Sequence, residues 1–106
     1  MATLNWTEVA LDWLEEIHAY IARDNPAAAA RVVDGIYERA QILRTFPDIG
    51  AHLLQVVEGE VRILLYGHYR IAYLRREGDS TIDILGVFHG ALDIDRFFSV
   101  EERRPG

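Results

Sequence analysis

The apolar residues change period partway along the chain, and that change restricts the folds open to it. Ala10, Trp13, Leu14, Ile17, Tyr20 and Ile21 recur at spacings of three and four, which predicts an amphipathic helix from Glu8 to about Arg23. From Val61 onward the pattern becomes that of strands. The runs 60–66, 69–76 and 81–88 are rich in Ile, Val, Leu and Tyr, and are separated by Gly67-His68 and by Glu77-Gly78-Asp79-Ser80, as in a three-stranded meander. Helices first and strands afterwards define an α+β chain.

Local signals punctuate the helical half. Leu4-Asn5-Trp6 is a short extended segment, and Thr7 is placed to cap the first helix through its hydroxyl. Asp24-Asn25-Pro26 ends that helix and starts another, with Asn25 as cap and Pro26 at the first helical position, where its missing amide hydrogen costs nothing. Ala29, Val32, Val33, Ile36, Ala40 and Leu43 form the apolar stripe of this second helix. So short a connection makes the two helices an antiparallel hairpin. Gly35 in mid-helix marks a close crossing. Phe46-Pro47 ends the helical region, and residues 47–59 read as a loop with extended character around Leu53 to Val57. One domain, residues 1–98, is expected, closing on a helical turn over Asp93–Phe98, with a disordered tail at 99–106. The expected architecture is a short N-terminal strand and an antiparallel helical hairpin packed on a small antiparallel β-sheet.

If Gly67-His68 is a two-residue turn, Tyr66 lies opposite Tyr69, Leu64 opposite Ile71 and Arg62 opposite Tyr73, all on one face. Continuing that register adds Ile82, Ile84, Gly86 and Phe88 to this face. Val61, Ile63, Leu65, Arg70, Ala72, Leu74, Asp83, Leu85 and Val87 fall on the other. Both faces are apolar, whereas a sheet covered on one side alternates apolar with polar. The hairpin can cover only the aromatic face. Val61, Ile63, Leu65, Leu74, Leu85 and Val87 around Arg70 are therefore expected to form an exposed groove of the kind that receives a partner, unless the C-terminal segment or a second copy of the chain covers it.

Composition narrows the chemistry. With 106 residues, half of them hydrophobic, and no cysteine, the chain can bury roughly two-thirds of its unfolded surface without disulfides or a thiolate metal site. It has no transmembrane stretch, and its N-terminus lacks a basic start and an apolar signal core, so a cytoplasmic location is expected. A net charge of −6, with eleven Arg and no Lys, opposes nonspecific nucleic-acid binding. Residues 1–52 carry four Arg against eight acids and residues 53–106 seven against nine, so the C-terminal half is less hostile to an anionic partner. The histidines at 18, 52, 68 and 89 have no metal-binding spacing, and neither a metal nor a cofactor is expected. Phosphate-loop and nucleophile-elbow motifs are missing as well. Metal-free acid–base chemistry of the ribonuclease kind survives, with Arg62, Tyr66, His68, Tyr69, Arg70 and His89 as candidates. Arg62 fits either a salt bridge to Glu8 or Asp12 or a functional contact.

Asn25-Pro26-Ala27-Ala28-Ala29, the break Leu43-x-x-Phe46-Pro47-x-x-Gly50, Val61-Arg62-x-Leu64, Tyr69-Arg70-Ile71-x-Tyr73 and Ile82-x-Ile84-Leu85-x-Val87-x-His89-Gly90 together resemble the RelE/ParE superfamily of toxins from type II toxin–antitoxin modules, across Leu4 to Phe98. The resemblance implies the same fold and a cognate antitoxin wrapped around the toxin. Its RelE branch cuts messenger RNA, using a basic cluster and a C-terminal Tyr. Its ParE branch, linked with plasmid stabilisation, inhibits DNA gyrase and lacks that cluster. This sequence is closer to ParE: Arg70 matches the strand arginine of RelE, but Gly90 or Ala91 replaces the second arginine, and Arg96 stands near the place of the Tyr. It departs from ParE at Leu92, where a basic residue is usual. The resemblance therefore implies a binding toxin with DNA gyrase as target and Val61, Ile63, Leu65, Arg70, Leu74, Leu85, Val87, His89 and Arg96 as target- or partner-binding residues. The alternatives are a ribonuclease using Arg70, His89 and Arg62, and an inactive antitoxin-binding or homodimeric module.

Overall fold

The computed structural model describes residues 1–90. The chain runs through β1 (Thr3–Trp6), α1 (Glu8–Ala22), α2 (Pro26–Ala40), a 3-10 turn over Gln41–Arg44, β2 (Ala51–Val56), β3 (Gly59–Tyr66), β4 (Tyr69–Arg76) and β5 (Thr81–His89). The strands form one sheet in the order β1-β5-β4-β3-β2. The turn expected at Asp93–Phe98, Arg96 within it, and the tail at 99–106 lie outside the described residues.

The predicted caps are present. The Thr7 hydroxyl accepts from the Ala10 amide at 3.2 Å and donates to the Ile84 carbonyl at 2.6 Å, so one side chain both starts α1 and ties it to β5. Asn25 accepts from the Ala28 amide at 3.0 Å and starts α2. The two helices lie over one face of the sheet. Ala10, Leu14, Ile36, Ala40 and Leu43 meet Leu64, Ile71, Tyr73, Ile82, Ile84 and Val87 in one buried core. Gly35 stands where α2 crosses β3: a Cβ there would fall 1.9 Å from the Tyr66 hydroxyl, so only a bare backbone admits that ring. Trp6 stacks on Tyr37 with ring centroids 5.3 Å apart, fastening β1 to α2.

The predicted hairpin register is the observed one, with Tyr66 opposite Tyr69, Leu64 opposite Ile71 and Arg62 opposite Tyr73. Three expectations need correction. The first concerns residues 47–59, which contain β2, paired antiparallel to β3. Being an edge strand with a register shift between His52 and Leu54, β2 is largely exposed and shows no apolar alternation in sequence. Second, β1 joins the sheet in parallel with β5, so the sheet is mixed and five-stranded. Asn5 fixes this join by donating to Asp83 at 2.9 Å, while Arg76 pairs with the same buried carboxylate at 2.6 Å.

Third, a bulge interrupts β4–β5. Tyr73 lies opposite Ile84 but Ala72 lies opposite Gly86, leaving Leu85 as the extra residue. Every later side chain of β5 changes face relative to a regular register. Val87 moves into the helix-facing core opposite Ile71, while Phe88 moves across from Arg70. The groove expected on the second face is not open. Val61, Leu74 and Phe88 are buried, Ile63 and Leu85 are half-buried, and Leu65, 57% exposed, is the accessible apolar residue of that row.

Candidate functional site

The candidate polar residues divide into two groups at different places on the sheet. The first closes the loop at 47–50. Arg62 donates to the Gly50 carbonyl at 2.8 Å, to the Asp48 carbonyl at 2.9 Å and to Glu60 at 2.7 Å. Beneath it the Tyr73 hydroxyl donates to the Pro47 carbonyl at 2.8 Å and accepts from the Gly50 amide at 3.0 Å. Arg75 pairs with Asp48 at 2.6 Å, and His52 Nδ1 lies 2.5 Å from Glu60. Arg62 therefore contacts neither Glu8 nor Asp12. Its guanidinium is engaged in holding a chain reversal, and its side chain is only 17% exposed.

Glu60 gives this network a pH signature. Hydrogen bonds from Arg62 and then from His52 hold its carboxyl below the ordinary 4.5. A depressed carboxylate stabilises the fold above its unfolded pKa, and that contribution disappears as pH falls through the folded value. Thermal melts should show wild-type stability falling below about pH 4.5 with a steeper slope than in Glu60→Gln; equal slopes would show that the Arg62 and His52 bonds do not matter to folding.

The second group lies at the β3–β4 turn and the end of β5. His68 occupies the turn, and the Gly90 amide donates to its carbonyl at 3.1 Å. Tyr69 meets the His89 ring edge-on at 5.2 Å, and the His68 and His89 rings are 6.1 Å apart. Burial pushes the Tyr69 hydroxyl above the usual phenol range, which keeps it protonated and a hydrogen-bond donor. Arg70 is the next residue of β4, half-buried and opposite both Leu65 and Phe88. Its guanidinium has neither an ion pair nor a hydrogen bond among the described residues.

The structure thus gathers these residues at one end of the sheet but on two faces: Tyr66, Tyr69 and His89 on the helix-facing side beside the His68 turn, and Leu65 and Arg70 on the other. It leaves Arg62 opposite Tyr73, three residues from Arg70 along β4 and on the opposite face, roughly 10 Å away at about 3.3 Å per residue. Val61, Leu74 and Val87 are interior. Arg39 is absent from the sequence-derived set. From the last turn of α2 it donates to the Leu65 carbonyl at 3.1 Å. A sequence signal for this region does exist: between Glu60 and Glu77 the chain has no acid at all. Among the described residues no group of three His, Asp or Glu side chains is placed to hold a metal ion, and no helix is long and apolar enough to cross a membrane.

A two-helix layer over a five-stranded mixed sheet is the architecture of the RelE/ParE toxin superfamily. Residues 4–94 match the family described as ParE toxin of the type II toxin–antitoxin system parDE, and the chain belongs to that family. A chain of the chromosomal ParDE toxin–antitoxin system from P. aeruginosa superposes with a TM-score of 0.67 at 25% identity, over 86% of this chain and 98% of that one. A chain of the RelBE2 toxin–antitoxin complex from Mycobacterium tuberculosis gives 0.57 at 25% identity, over 83% and 96%. The toxin candidate Y4kP of Sinorhizobium fredii is 47% identical over 47 residues, 44% of this chain; the match spans about half the length of that relative, 49%.

Proposed function

We propose that this chain is a ParE-like toxin that acts in the cytoplasm by binding DNA gyrase, without chemistry of its own, and that a cognate antitoxin neutralises it. The observation that carries this reading is the separation of the two arginines. A metal-free ribonuclease needs its proton-transfer groups and its cation around one phosphate. Here Arg62 is tied into the 47–50 loop on the opposite face from Arg70, so the set Arg62, Arg70 and His89 does not converge. What remains on that face at the end of the sheet is a cation with no ion pair among the described residues, beside the exposed Leu65 and opposite the buried Phe88, a composition suited to protein contact. Family membership and the likeness to chains of ParDE and RelBE2 assemblies support both the toxin and its antitoxin partner.

The test is DNA supercoiling by purified gyrase with increasing amounts of the protein, and a nuclease-free RNA incubated in parallel. The expected result is inhibition with accumulation of cleaved DNA and intact RNA. Uninhibited supercoiling at large excess would remove gyrase as the target, and loss of RNA would establish the ribonuclease in its place.

A further inference from the structure

The arginines of the central strands are not equivalent. Arg62 pairs with Glu60, Arg75 with Asp48 and Arg76 with Asp83. Arg70 has no acidic partner among the described residues, and neither has Arg39. Both belong to one place. Arg39 donates to the Leu65 carbonyl, and Arg70 is the cross-strand partner of Leu65. The Tyr66–Tyr69 pair closes the two-residue turn, so Leu65 and Arg70 form the following non-hydrogen-bonded pair, in which side chains approach closely. In order across the end of the sheet stand Arg39 at the Leu65 carbonyl, the exposed Leu65 side chain and Arg70, and no acid among the described residues neutralises either cation, on a protein whose net charge is −6.

We propose that Arg39, Leu65 and Arg70 form a docking patch for an acidic segment of a partner protein, anchored by an apolar side chain on Leu65 and by carboxylates on the two guanidiniums. Arg forms bidentate pairs with carboxylates, and the planar group tolerates partial burial against an apolar neighbour. The patch does not suit a nucleic acid. Affinity for a phosphate backbone comes from several cations in a row, each releasing counterions, whereas here two cations flank an apolar residue and the remaining surface is net acidic and repels a polyanion. A short acidic peptide feels mainly the local pair, since charges beyond about 10 Å are screened at ordinary salt. The inference rests on the reading of the chain as a protein that acts by docking, and not on gyrase being the target.

The experiment is selection of randomised twelve-residue peptides on the immobilised full chain, followed by fluorescence anisotropy of the selected peptides against wild type, Arg39→Glu, Arg70→Glu and Leu65→Ser. Arg31→Glu, on an exposed position of α2, is the control. Arg39→Gln and Arg70→Gln stand in for any charge reversal whose thermal melt shows loss of the fold. The expected peptides carry Asp or Glu within a few residues of Leu, Ile, Phe or Trp. Their affinity should fall by roughly tenfold or more in each patch variant, as for truncation of one partner of a close charge pair, and should be unchanged in Arg31→Glu. A library that yields no binder, peptides without acids, or binding indifferent to Arg39 and Arg70 would overturn the proposal. So would a twenty-nucleotide single-stranded DNA that binds more tightly than the peptides and depends on the same arginines. The supercoiling assay reads separately: inhibition there with a failed peptide selection would leave the toxin reading standing and remove only this patch.

Discussion

Replacing Tyr73 by Ala is expected to destabilise the protein by about 3–5 kcal/mol, as for other buried aromatic truncations. That is a large part of the roughly 5–15 kcal/mol that holds a domain together. Tyr73 is fully buried at the centre of β4, in contact with the helix-facing core, and its hydroxyl is the hinge of the 47–50 reversal. Two effects combine, and a second variant separates them. Tyr73→Phe keeps the ring and leaves the Pro47 carbonyl and the Gly50 amide without their partner, at a cost of about 1–3 kcal/mol. Urea denaturation should show the midpoint falling in the order wild type, Phe, Ala with an unchanged slope. A Tyr73→Phe protein as stable as wild type would mean that the loop is held without the hydroxyl, by Arg62 and Arg75.

The parts of the fold that were legible in sequence were those fixed by local chemistry. Thr7 and Asn25-Pro26 marked both helix starts because a capping side chain and a missing amide hydrogen act within one turn. The Gly67-His68 turn set the β3–β4 register because a two-residue loop leaves no other pairing. What escaped was set by tertiary contacts. β1 became a strand beside β5 through Asn5 and Asp83, which are 78 residues apart. β2 is an edge strand, and an edge places no demand on apolar alternation. The bulge at Leu85 carries neither Gly nor Pro at its extra position, yet it sent Val87 to the core and Phe88 to the opposite face. That one residue took Val87 out of the predicted lining and put Phe88 into it, while Val61 and Leu74, whose register was as expected, are buried as well. The site was legible in part. Arg70, His68, Tyr69 and His89 lie within two strand ends and a turn, whereas Arg39 reaches the same place from a helix 26 residues away from Leu65.

The two strand arginines give the sharper test of function, because they predict opposite results from the same substitution. Arg70→Ala removes a cation that no described residue uses, so its stability should stay within about 0.5 kcal/mol of wild type, as for most substitutions away from structural contacts. Growth arrest on induction in a bacterial host, and inhibition of supercoiling in vitro, should fall at least about tenfold, the equivalent of one contact of about 1.4 kcal/mol. Arg62→Ala should do the reverse. It removes three hydrogen bonds that close the 47–50 loop, with a loss of about 2 kcal/mol. The folded fraction should still inhibit gyrase at the wild-type level once concentrations are matched by activity of the native form. If inhibition instead fell in both variants in proportion to their lost stability, Arg70 would be a residue of the fold and the end of the sheet would not be the contact surface. If Arg62→Ala alone abolished activity at full stability, the functional surface would lie at the 47–50 loop, on the opposite face of the sheet from Arg70.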